Sequence, residues 1–509
     1  MTTTILVRNR AKDPDYTCVT NGPGPGLSFL CQSLLPVLRA LGDVKEVAAG
    51  TDLHGLCRSL RDEGNEPVYC VFGLPAEADI PDCCPVIAAI AWPFDVLPID
   101  SAERWRERLR HCAGVVTFCQ QSAGALRRLM GERFPVMVSP AQPWERFAGI
   151  CPAEGALPLL HPRIIHFTGQ LLDSPSIGLS VDALARPEPA PESVTLLAAE
   201  PVIEDVAVQV QLEAEPLTWR QRLYITGALL RGWWREVTGA DRHLRQRMET
   251  VAAVSEAEPE PVAIAVVPSP CLTAEAQRFT LHGVVYTCVL RAEDETRNWT
   301  EMLTAFCRTF GDQPDATLVF KFTHENLSSG RIGMLTNLSR LAPFKCRVVI
   351  INGHLDEQEY AHLIAASHFL VHPALSESSA ITVQEFMSAG RPIIAPRHSA
   401  LSDWLEEDHP LTIQCSRQST HWAGDPDKRM RYFDHRLNWQ SMCAVFQDSF
   451  NLAMRAAGDY QAMSVHARTQ VRNRASMTQL QEQWRGFLTR IDSDVQATRV
   501  LAEALRAGA

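Results

Sequence analysis

The sequence contains no apolar run that approaches the ~20 residues needed to cross a bilayer. It contains no CxxC pair, and its 15 cysteines are scattered along the chain, a pattern that predicts reduced, mostly buried thiols rather than a disulfide framework or a zinc site. It also lacks an excess of basic residues, since the net charge is −11, whereas a nucleic-acid-binding protein is expected to carry a basic face. These absences argue against a membrane-spanning protein, a small secreted domain and a partner of nucleic acids.

The first residues of the chain, MTTTILVRNRAKD, contain no long apolar segment of the kind that forms the centre of a signal peptide. We therefore expect the protein to be cytoplasmic, where its thiols stay reduced. With 509 residues, of which 46% are hydrophobic, the chain is long enough for two or three domains with substantial cores.

Strand-like and helix-like segments alternate over residues 1–170 and again from residue 276. The strand candidates are short apolar runs, at 4–7, 68–72, 86–91, 115–118, 284–290, 316–322 and 348–351. Alternation of this kind predicts doubly wound, mostly parallel sheets. We expect one such α/β domain at 1–170, a second at 276–437, and a helical tail at 438–509 that partly crosses back to the first domain.

Residues 171–275 break this alternation with acidic, proline-rich connectors on either side of one predicted helix, 219–248. The helix carries three tryptophans and seven arginines. A basic amphipathic helix of this composition is typical of a helix that lies on an anionic membrane surface, here the inner face of the membrane. The alternative is an interdomain helix whose aromatic face packs on a domain.

The stretch 372–396, HPALSESSAITVQEFMSAGRPIIAP, predicts a strand end, a loop, a short helix and a second strand. The loop contains serines, which favour helix N-caps, at Ser376, Ser378 and Ser379. Glu377 lies in the loop and Glu385 lies inside the helix. Because the N–H groups at the start of a helix attract anions, we expect this unit to hold a phosphate while a carboxylate binds sugar hydroxyls.

Glu377, seven intervening residues, Glu385 and the following Phe-Met-Ser-Ala-Gly-Arg-Pro-Ile-Ile-Ala resemble the signature of the retaining GT-B glycosyltransferases of family 4. The resemblance implies two Rossmann-like domains that face each other across a cleft. It also implies transfer of a sugar from a nucleotide diphosphate sugar to a saccharide or lipid-linked acceptor, with retention of configuration. In that family the first glutamate contacts the donor sugar, which implies a catalytic role for Glu377. The second, here Glu385, binds the ribose.

The resemblance covers 276–456 well and implies further donor-binding residues. Arg297 matches the basic residue that binds the donor diphosphate, which implies a catalytic role for it beside Glu377, and Arg291 is a second, donor-binding candidate. Lys321, at a strand end, is another candidate, with an edge lysine as the alternative. The remaining candidates lie at the loop before the helix and after a further strand: Ser378, Ser379, Ala380, Ile381, Gly353 and His354. No DxD-like motif stands out, so we expect a metal-independent reaction that needs no cofactor besides the donor.

The resemblance is weak over 1–170, where two segments are candidates for the acceptor side of the cleft. A glycine-rich loop before a helix, with Gly24 and Gly26, allows close approach of the backbone to a ligand; a plain structural turn is the alternative. Trp92 and Asp95 follow a buried strand, at the strand end where open α/β sheets bind ligands. The alternative for this second segment is a loop that packs on the core.

Departures from the family pattern leave other functions open. Ser378, Ser379 and Ala380 stand where the family usually has glycines, and the segment around Trp92 lacks the histidine that many members have there. A catalytically degenerate scaffold or sugar-nucleotide-binding protein is therefore one alternative, and a sugar-nucleotide epimerase of similar fold is another. Glu385 also matches a capping box three residues after a threonine, in which case it would only cap a helix.

Overall fold

The computed structural model describes most of the chain in ranges that are separated by gaps. The described residues are 2–10, 25–74, 80–97, 99–151, 162–177, 276–291, 294–322, 328–353, 355–420 and 431–507. The predicted helix at 219–248, Gly24 and His354 lie outside the described residues. What the sequence predicts for them, including contact with a membrane surface, stays a prediction.

Six strands form the first sheet, in the spatial order β2-β1-β3-β4-β5-β6. They are β1 (Thr2–Asn9), β2 (Asp43–Glu46), β3 (Asn65–Phe72), β4 (Val86–Ile90), β5 (Gly114–Thr117) and β6 (Val136–Val138). All neighbouring pairs are parallel. The accompanying helices are α1 (Pro25–Arg39), α2 (Leu53–Asp62), α3 (Ile99–Arg110), α4 (Gln120–Met130) and α5 (Trp144–Phe147). The strand order changes direction between β1 and β3, as in doubly wound sheets.

Seven strands form the second sheet, in the order β15-β14-β13-β10-β11-β12-β8. Six of them are parallel: β10 (Val284–Leu290), β11 (Ala316–Phe322), β12 (Arg347–Asn352), β13 (Phe369–Val371), β14 (Ile393–Pro396) and β15 (Thr412–Ile413). Helices alternate with these strands: α6 (Trp299–Phe310), α7 (Ser328–Leu341), α8 (Glu357–Ala366) and α9 (Ile381–Ser388). The remaining strand, β8 (Gln170–Asp173), is antiparallel to β12.

Two antiparallel strand pairs accompany the sheets. One joins β7 (Arg163–Thr168) to β9 (Ala276–Leu281), and the other is the hairpin of β16 (Cys415–Thr420) and β17 (Tyr432–Leu437). The strand β8 is held on the second sheet by Arg347, whose Nη2 donates to Asp173 Oδ2 at 2.6 Å and whose Nε donates to Oδ1 at 2.9 Å. The chain thus enters the second sheet at residue 170 through β8, and the predicted domain limits stay predictions.

Burial explains why the strands could be recognised in the sequence. Every side chain of β4 and of β11 is buried, as expected when helices cover both faces of a parallel sheet. In the sequence, the residues of such strands therefore form nearly continuous apolar runs. The predicted parallel sheets are confirmed.

Three helices follow the hairpin: α10 (Trp439–Arg455), α11 (Ala457–Ala475) and α12 (Met477–Ala507). The first packs on the second sheet through Phe446, whereas α12 places Trp484 and Phe487 in the core of the first sheet. Trp484 Nε1 donates to Ser139 Oγ at 3.0 Å. Gly114 makes room for this helix, since a Cβ there would lie 2.8 Å from Phe487 Cζ. In the described part of the chain, no helix is both long enough and apolar enough to cross a bilayer.

Replacement of Trp484 by alanine is expected to lower the free energy of unfolding by about 3–5 kcal/mol, because it empties a buried site between α12 and the first sheet. Chemical denaturation of both proteins measures the difference. Phe29→Ala is the control: this ring on α1 is 56% exposed, and its loss should cost less than about 1 kcal/mol. Equal losses in the two variants would contradict the packing of α12 on this sheet.

Candidate functional site

The predicted donor-binding residues gather at the carboxyl ends of neighbouring strands in the second sheet, which is where open α/β sheets bind ligands. Arg291 and Arg297 follow β10, Lys321 lies near the end of β11, Gly353 follows β12, and Glu377 follows β13. The parallel strand order brings these separate parts of the sequence to one edge.

The carboxylate of Glu377 accepts hydrogen bonds from the backbone of the loop that precedes α9. Its Oε1 accepts hydrogen bonds from the backbone N–H groups of Ser378, Ser379 and Ala380, at 3.0, 3.3 and 3.3 Å. Ala380 occupies the N-cap position, and no side chain caps the helix from there. The N-cap predictions for Ser376, Ser378 and Ser379 are therefore wrong, because the Glu377 carboxylate binds the N–H groups of this loop instead.

Ala380 has a φ of 52°, in the left-handed region that favours glycine. The family that the sequence resembles usually has glycines in this loop. Here the methyl group of Ala380 is buried with Val383 and Phe386 in the core beneath α9, which offsets part of the backbone cost of ~1 kcal/mol. The loop therefore keeps a backbone conformation suited to glycine although no glycine is present.

An ion-pair network surrounds the other carboxylate oxygen, Glu377 Oε2. Arg297 Nη1 donates to it at 2.6 Å, and His372 Nε2 donates to it at 2.9 Å. Arg297 Nε also donates to Asp294 Oδ2 at 3.1 Å. Burial by itself would raise the pKa of Glu377, but the Arg297 charge and the His372 hydrogen bond hold it well below its ordinary value. Glu377 is thus an anion at neutral pH.

The first turn of α9 offers further hydrogen-bond donors. Its first bond within the helix runs from the Gln384 N–H to Ala380 O at 3.1 Å. The N–H groups of Ile381, Thr382 and Val383 precede that bond and have no partner among the described residues. These groups are available to an anion at the positive end of the helix dipole.

The two arginines predicted to grip a diphosphate differ in their surroundings. Arg297 already forms ion pairs with the carboxylates of Glu377 and Asp294. The Nε of Arg291 is buried and has no hydrogen-bond partner in the described part of the chain. An unsatisfied buried donor costs about 1–3 kcal/mol, so an anionic ligand that reaches Arg291 removes that cost. The phosphate-binding roles predicted for Arg297 and Arg291 stay predictions.

Further polar residues, Ser399 and His398, form hydrogen bonds that hold the backbone of Glu377. The Glu377 N–H donates to Ser399 Oγ at 3.0 Å. Burial lowers the pKa of His398 to about 3, so its ring is neutral. Its Nε2–H donates to Ala374 O at 2.9 Å, which leaves Nδ1 to accept from Ser399 Oγ, also at 2.9 Å. The ring stacks on His435 with centroids 4.0 Å apart, so the orientation of these groups is well defined.

Sequence analysis does not single out His372 or His398. Each follows a buried strand of the second sheet, β13 or β14, within two residues. A position at a strand end is the signal that led to Lys321. A stricter use of it would have found both histidines, although not their contacts with the Glu377 loop.

Glu385, the predicted ribose-binding residue, lies on α9 and accepts a hydrogen bond at Oε2 from the Tyr360 hydroxyl at 2.8 Å. Burial raises the pKa of Glu385 to about 7, against the opposing effects of the Tyr360 bond and the Arg146 charge. The capping-box alternative is wrong. The helix begins at Ile381, so Thr382 lies inside it rather than at the N-cap, and Glu385 has Tyr360 as its partner.

Lys321 supports the loop after β12. Its Nζ donates to Gly353 O at 2.9 Å and to Phe322 O, and burial lowers its pKa to about 8. The edge-lysine alternative is wrong, because β11 lies between β10 and β12 inside the sheet. Gly353 in turn lies against β7, where a Cβ would come 2.3 Å from Thr168 O. Only glycine fits at that position.

Trp92 and Asp95 contact the hairpin of β16 and β17. Trp92 is 3% exposed, and its ring centroid lies 6.4 Å from that of Tyr432, which also packs on Phe94 at 5.1 Å. Asp95 Oδ2 accepts from Arg417 Nη2 at 2.5 Å. For Trp92 this geometry favours the alternative that the loop packs on the core. The partly exposed Asp95 keeps its prediction as an acceptor-side residue.

Residues that follow strands of the first sheet contact the second half of the chain near this site, among them Arg146, whose Nε donates to Glu357 Oε1 at 2.9 Å. The N–H of Gln120, at the start of α4, donates to Asp403 Oδ2 at 2.9 Å. Gly26 lies in the first turn of α1, where an added Cβ would meet nothing within 4 Å. The fold therefore does not require glycine there, and its predicted role in the cleft stays a prediction.

The raised pKa of Glu385 predicts how stability changes with pH. The folded state holds the proton up to a pKa of about 7, whereas the ordinary value is 4.5. This contribution is complete below pH 4.5 and is lost as the pH rises through 7. Relative to Glu385→Gln, the wild type should lose up to ~3 kcal/mol of unfolding free energy across that range. Chemical denaturation at a series of pH values measures this; a constant difference between the two proteins would contradict it.

Comparisons with known proteins bear on the fold. The sequence matches no family model and no curated protein. The structure is similar to that of α,α-trehalose 6-phosphate synthase from Burkholderia multivorans, with a TM-score of 0.50 and 10% identity over 99% of this chain and 98% of that chain. Weaker similarities link it to sucrose-phosphate synthase from Thermosynechococcus elongatus (TM-score 0.47, 12% identity, 97% and 100% covered) and to the pneumococcal O-GlcNAc transferase GtfA (0.44, 7%, 86% and 59%). The first similarity confirms the predicted fold: the chain has the GT-B architecture of two Rossmann-like domains.

Proposed function

We propose that the protein is a retaining GT-B glycosyltransferase, which moves a sugar from a nucleotide diphosphate sugar to a saccharide or lipid-linked acceptor. The observation that carries this proposal is the arrangement around α9. An ionised Glu377 lies in the preceding loop, unpaired N–H groups begin the helix, and Glu385 lies further along it. The resemblance of the same stretch to glycosyltransferases of family 4 supports the proposal.

The parts of a sugar nucleotide match the groups of this site in order. The ribose hydroxyls donate to Glu385, which already accepts one hydrogen bond from Tyr360. The diphosphate binds the free N–H groups at the start of α9 and the guanidinium of Arg291. The sugar hydroxyls donate to Glu377. Its low pKa keeps this carboxylate an acceptor throughout.

The reaction breaks the bond between the anomeric carbon and a phosphate oxygen, so negative charge grows on the departing diphosphate. Helix N–H groups and arginines that are already in place stabilise this charge without reorganisation. Arg297 takes part once Glu377 turns toward the sugar hydroxyls. That movement leaves Asp294 as the remaining carboxylate partner of the guanidinium, with His372 Nε2 at 3.3 Å from Nη1, and makes Nη1 available to phosphate.

A second candidate function is binding of a sugar nucleotide without transfer, and one observation favours it. Glu377 already pairs with Arg297 and accepts the N–H groups of its own loop, so the protein's own carboxylate takes up donors that a substrate anion would use. A protein of this kind would bind the nucleotide and show neither transfer nor donor hydrolysis. Assays of both reactions separate the two candidates.

Thermal denaturation with UDP, GDP, ADP and CMP should identify a stabilising nucleoside diphosphate, and the same shift is expected in EDTA. At about 100 times its dissociation constant the ligand should add about 2.7 kcal/mol of stability. Arg291→Ala should reduce the effect, because it removes the unsatisfied donor at the site. Arg308→Ala, which changes an exposed arginine on α6, is the control. Abolition of the shift by EDTA would contradict metal-independent binding.

Substitutions of the two glutamates should affect different quantities: nucleotide binding for Glu385 and sugar transfer for Glu377. At a pH above 7, where Glu385 is ionised, Glu385→Ala should weaken binding of the free nucleoside diphosphate by roughly 1.5–3 kcal/mol, because it removes a charged acceptor for ribose hydroxyls. Glu377→Gln should leave that binding unchanged or stronger, since Arg297 loses a competing carboxylate, while transfer falls. Calorimetric titration beside a transfer assay measures both effects.

The matched control for the two glutamates is Glu407→Gln, whose side chain is 88% exposed. It should leave binding and transfer unchanged. If Glu385→Ala binds nucleotide as the wild type does, the ribose assignment is wrong. If Glu377→Gln transfers sugar at the wild-type rate, Glu377 is not catalytic.

A further inference from the structure

Three cysteines from separate parts of the sequence meet beside the first sheet. Cys57 lies on α2, and Cys83 and Cys84 lie just before β4. Their Sγ atoms are all within 4.8 Å of one another, and they form the one group of three or more potential metal ligands that the described residues contain. Cys57 and Cys84 belong to the core on one side of this sheet, whereas α9 of the proposed donor site packs in another core.

The fold holds this cluster in place through the connection between β3 and β4. These strands are parallel neighbours, so the chain must return along the sheet, and its described part, residues 80–85, passes beside α2. The Pro85 carbonyl accepts from the Tyr69 N–H of β3 at 2.8 Å. On α2, Arg61 donates to the Cys83 carbonyl, and the Cys83 thiol points to Leu53 O at 3.8 Å. The sulfur atoms therefore lie on anchored backbone.

The cluster is closed on one side and open on the other. Cys57 is fully buried and Cys84 nearly so, while Cys83 is only half-buried. Burial raises the pKa of Cys57 to about 11 and that of Cys84 further, so these thiols are protonated at neutral pH. The half-buried Cys83 gives a route by which an ion reaches the other two sulfurs.

We propose that Cys57, Cys83 and Cys84 bind one soft, thiophilic metal ion of the class of Zn²⁺ and Cu⁺ through three thiolate sulfurs. Soft thiolates select these ions over Mg²⁺ or Ca²⁺. A metal–sulfur distance of about 2.3 Å places three sulfurs about 4 Å apart, so each Sγ needs to move by at most about 0.5 Å.

Charge and protons balance in this binding step. Each of the three thiols gives up its proton to solvent as its sulfur bonds the metal, so binding is coupled to release of three protons and strengthens as the pH rises. The resulting site is anionic. Arg61, whose positive charge already lowers the pKa of Cys57 against the larger effect of burial, offsets part of that charge.

Zn²⁺ and Cu⁺ differ in whether they need a fourth ligand besides the three sulfurs. Zn²⁺ is almost always four-coordinate, and the open side at Cys83 admits a water molecule. His54 lies one turn before Cys57 on α2 and is 61% exposed, with Nε2 3.6 Å from Asp82 Oδ1, so a rotation of its ring is an alternative source of this ligand. Cu⁺ needs no fourth ligand. His54→Ala therefore should weaken Zn²⁺ binding and leave Cu⁺ binding unchanged if the imidazole takes part.

The test uses the reduced, metal-stripped full-length protein. Co²⁺ serves as an absorbing substitute for Zn²⁺, and Zn²⁺ and Cu⁺ are then titrated separately under anaerobic conditions. We expect one equivalent of metal to bind with a sulfur-to-metal charge-transfer band and with release of protons. We expect Cys83→Ala and Cys84→Ala each to lose the band and to weaken binding by at least tenfold, and Cys83→Ala, at the half-buried position, to keep the wild-type melting temperature.

Cys112→Ala is the matched control, because Cys112 is a buried thiol in the same core and stands outside the cluster. It should keep the band and the affinity. Equal loss in Cys112→Ala would mean non-specific binding by the chain's thiols and would overturn the proposal. So would the absence of a charge-transfer band with all three ions.

Discussion

The buried carboxylate of Glu377 is the interaction on which the ligand edge of the second sheet depends. A charge taken out of water is tolerated only when donors surround it, and this one receives loop N–H groups, the Arg297 guanidinium and the His372 imidazole. Its own N–H is held by Ser399. Because these partners follow three different strands, Glu377 joins the loops after β10 and β13 through its carboxylate and the loop after β14 through its N–H group.

At this edge of the sheet, the pKa values of the ionisable groups are shifted in different directions. Burial is common to Glu377 and Glu385, yet the pKa of Glu377 is held well below its ordinary value by Arg297 while that of Glu385 rises to about 7. Burial also lowers the pKa of Lys321 to about 8. Perturbed groups that gather at one strand-end cleft are typical of functional sites. The pattern agrees with a site in which one glutamate stays charged beside a developing cationic sugar and the other meets neutral hydroxyls.

Local errors in the sequence interpretation have a shared cause. The serine N-caps and the capping box are rules about neighbours along the chain. They fail at α9 because Glu377 folds back on the N–H groups of its own loop, so the helix begins later, at Ile381. The carboxylate adopts this position because Arg297 and His372 hold its other oxygen, and no rule of local spacing contains that interaction.

The sequence by itself determined the two parallel sheets, because strands buried on both faces appear as continuous apolar runs. The tertiary structure alone decided that Arg297 pairs with Glu377, that the β16–β17 hairpin covers Trp92, and that Cys57 meets Cys83. These contacts depend on which strands become neighbours and on the path between them. Strand order arises from packing of the whole chain, so no single stretch of sequence contains it.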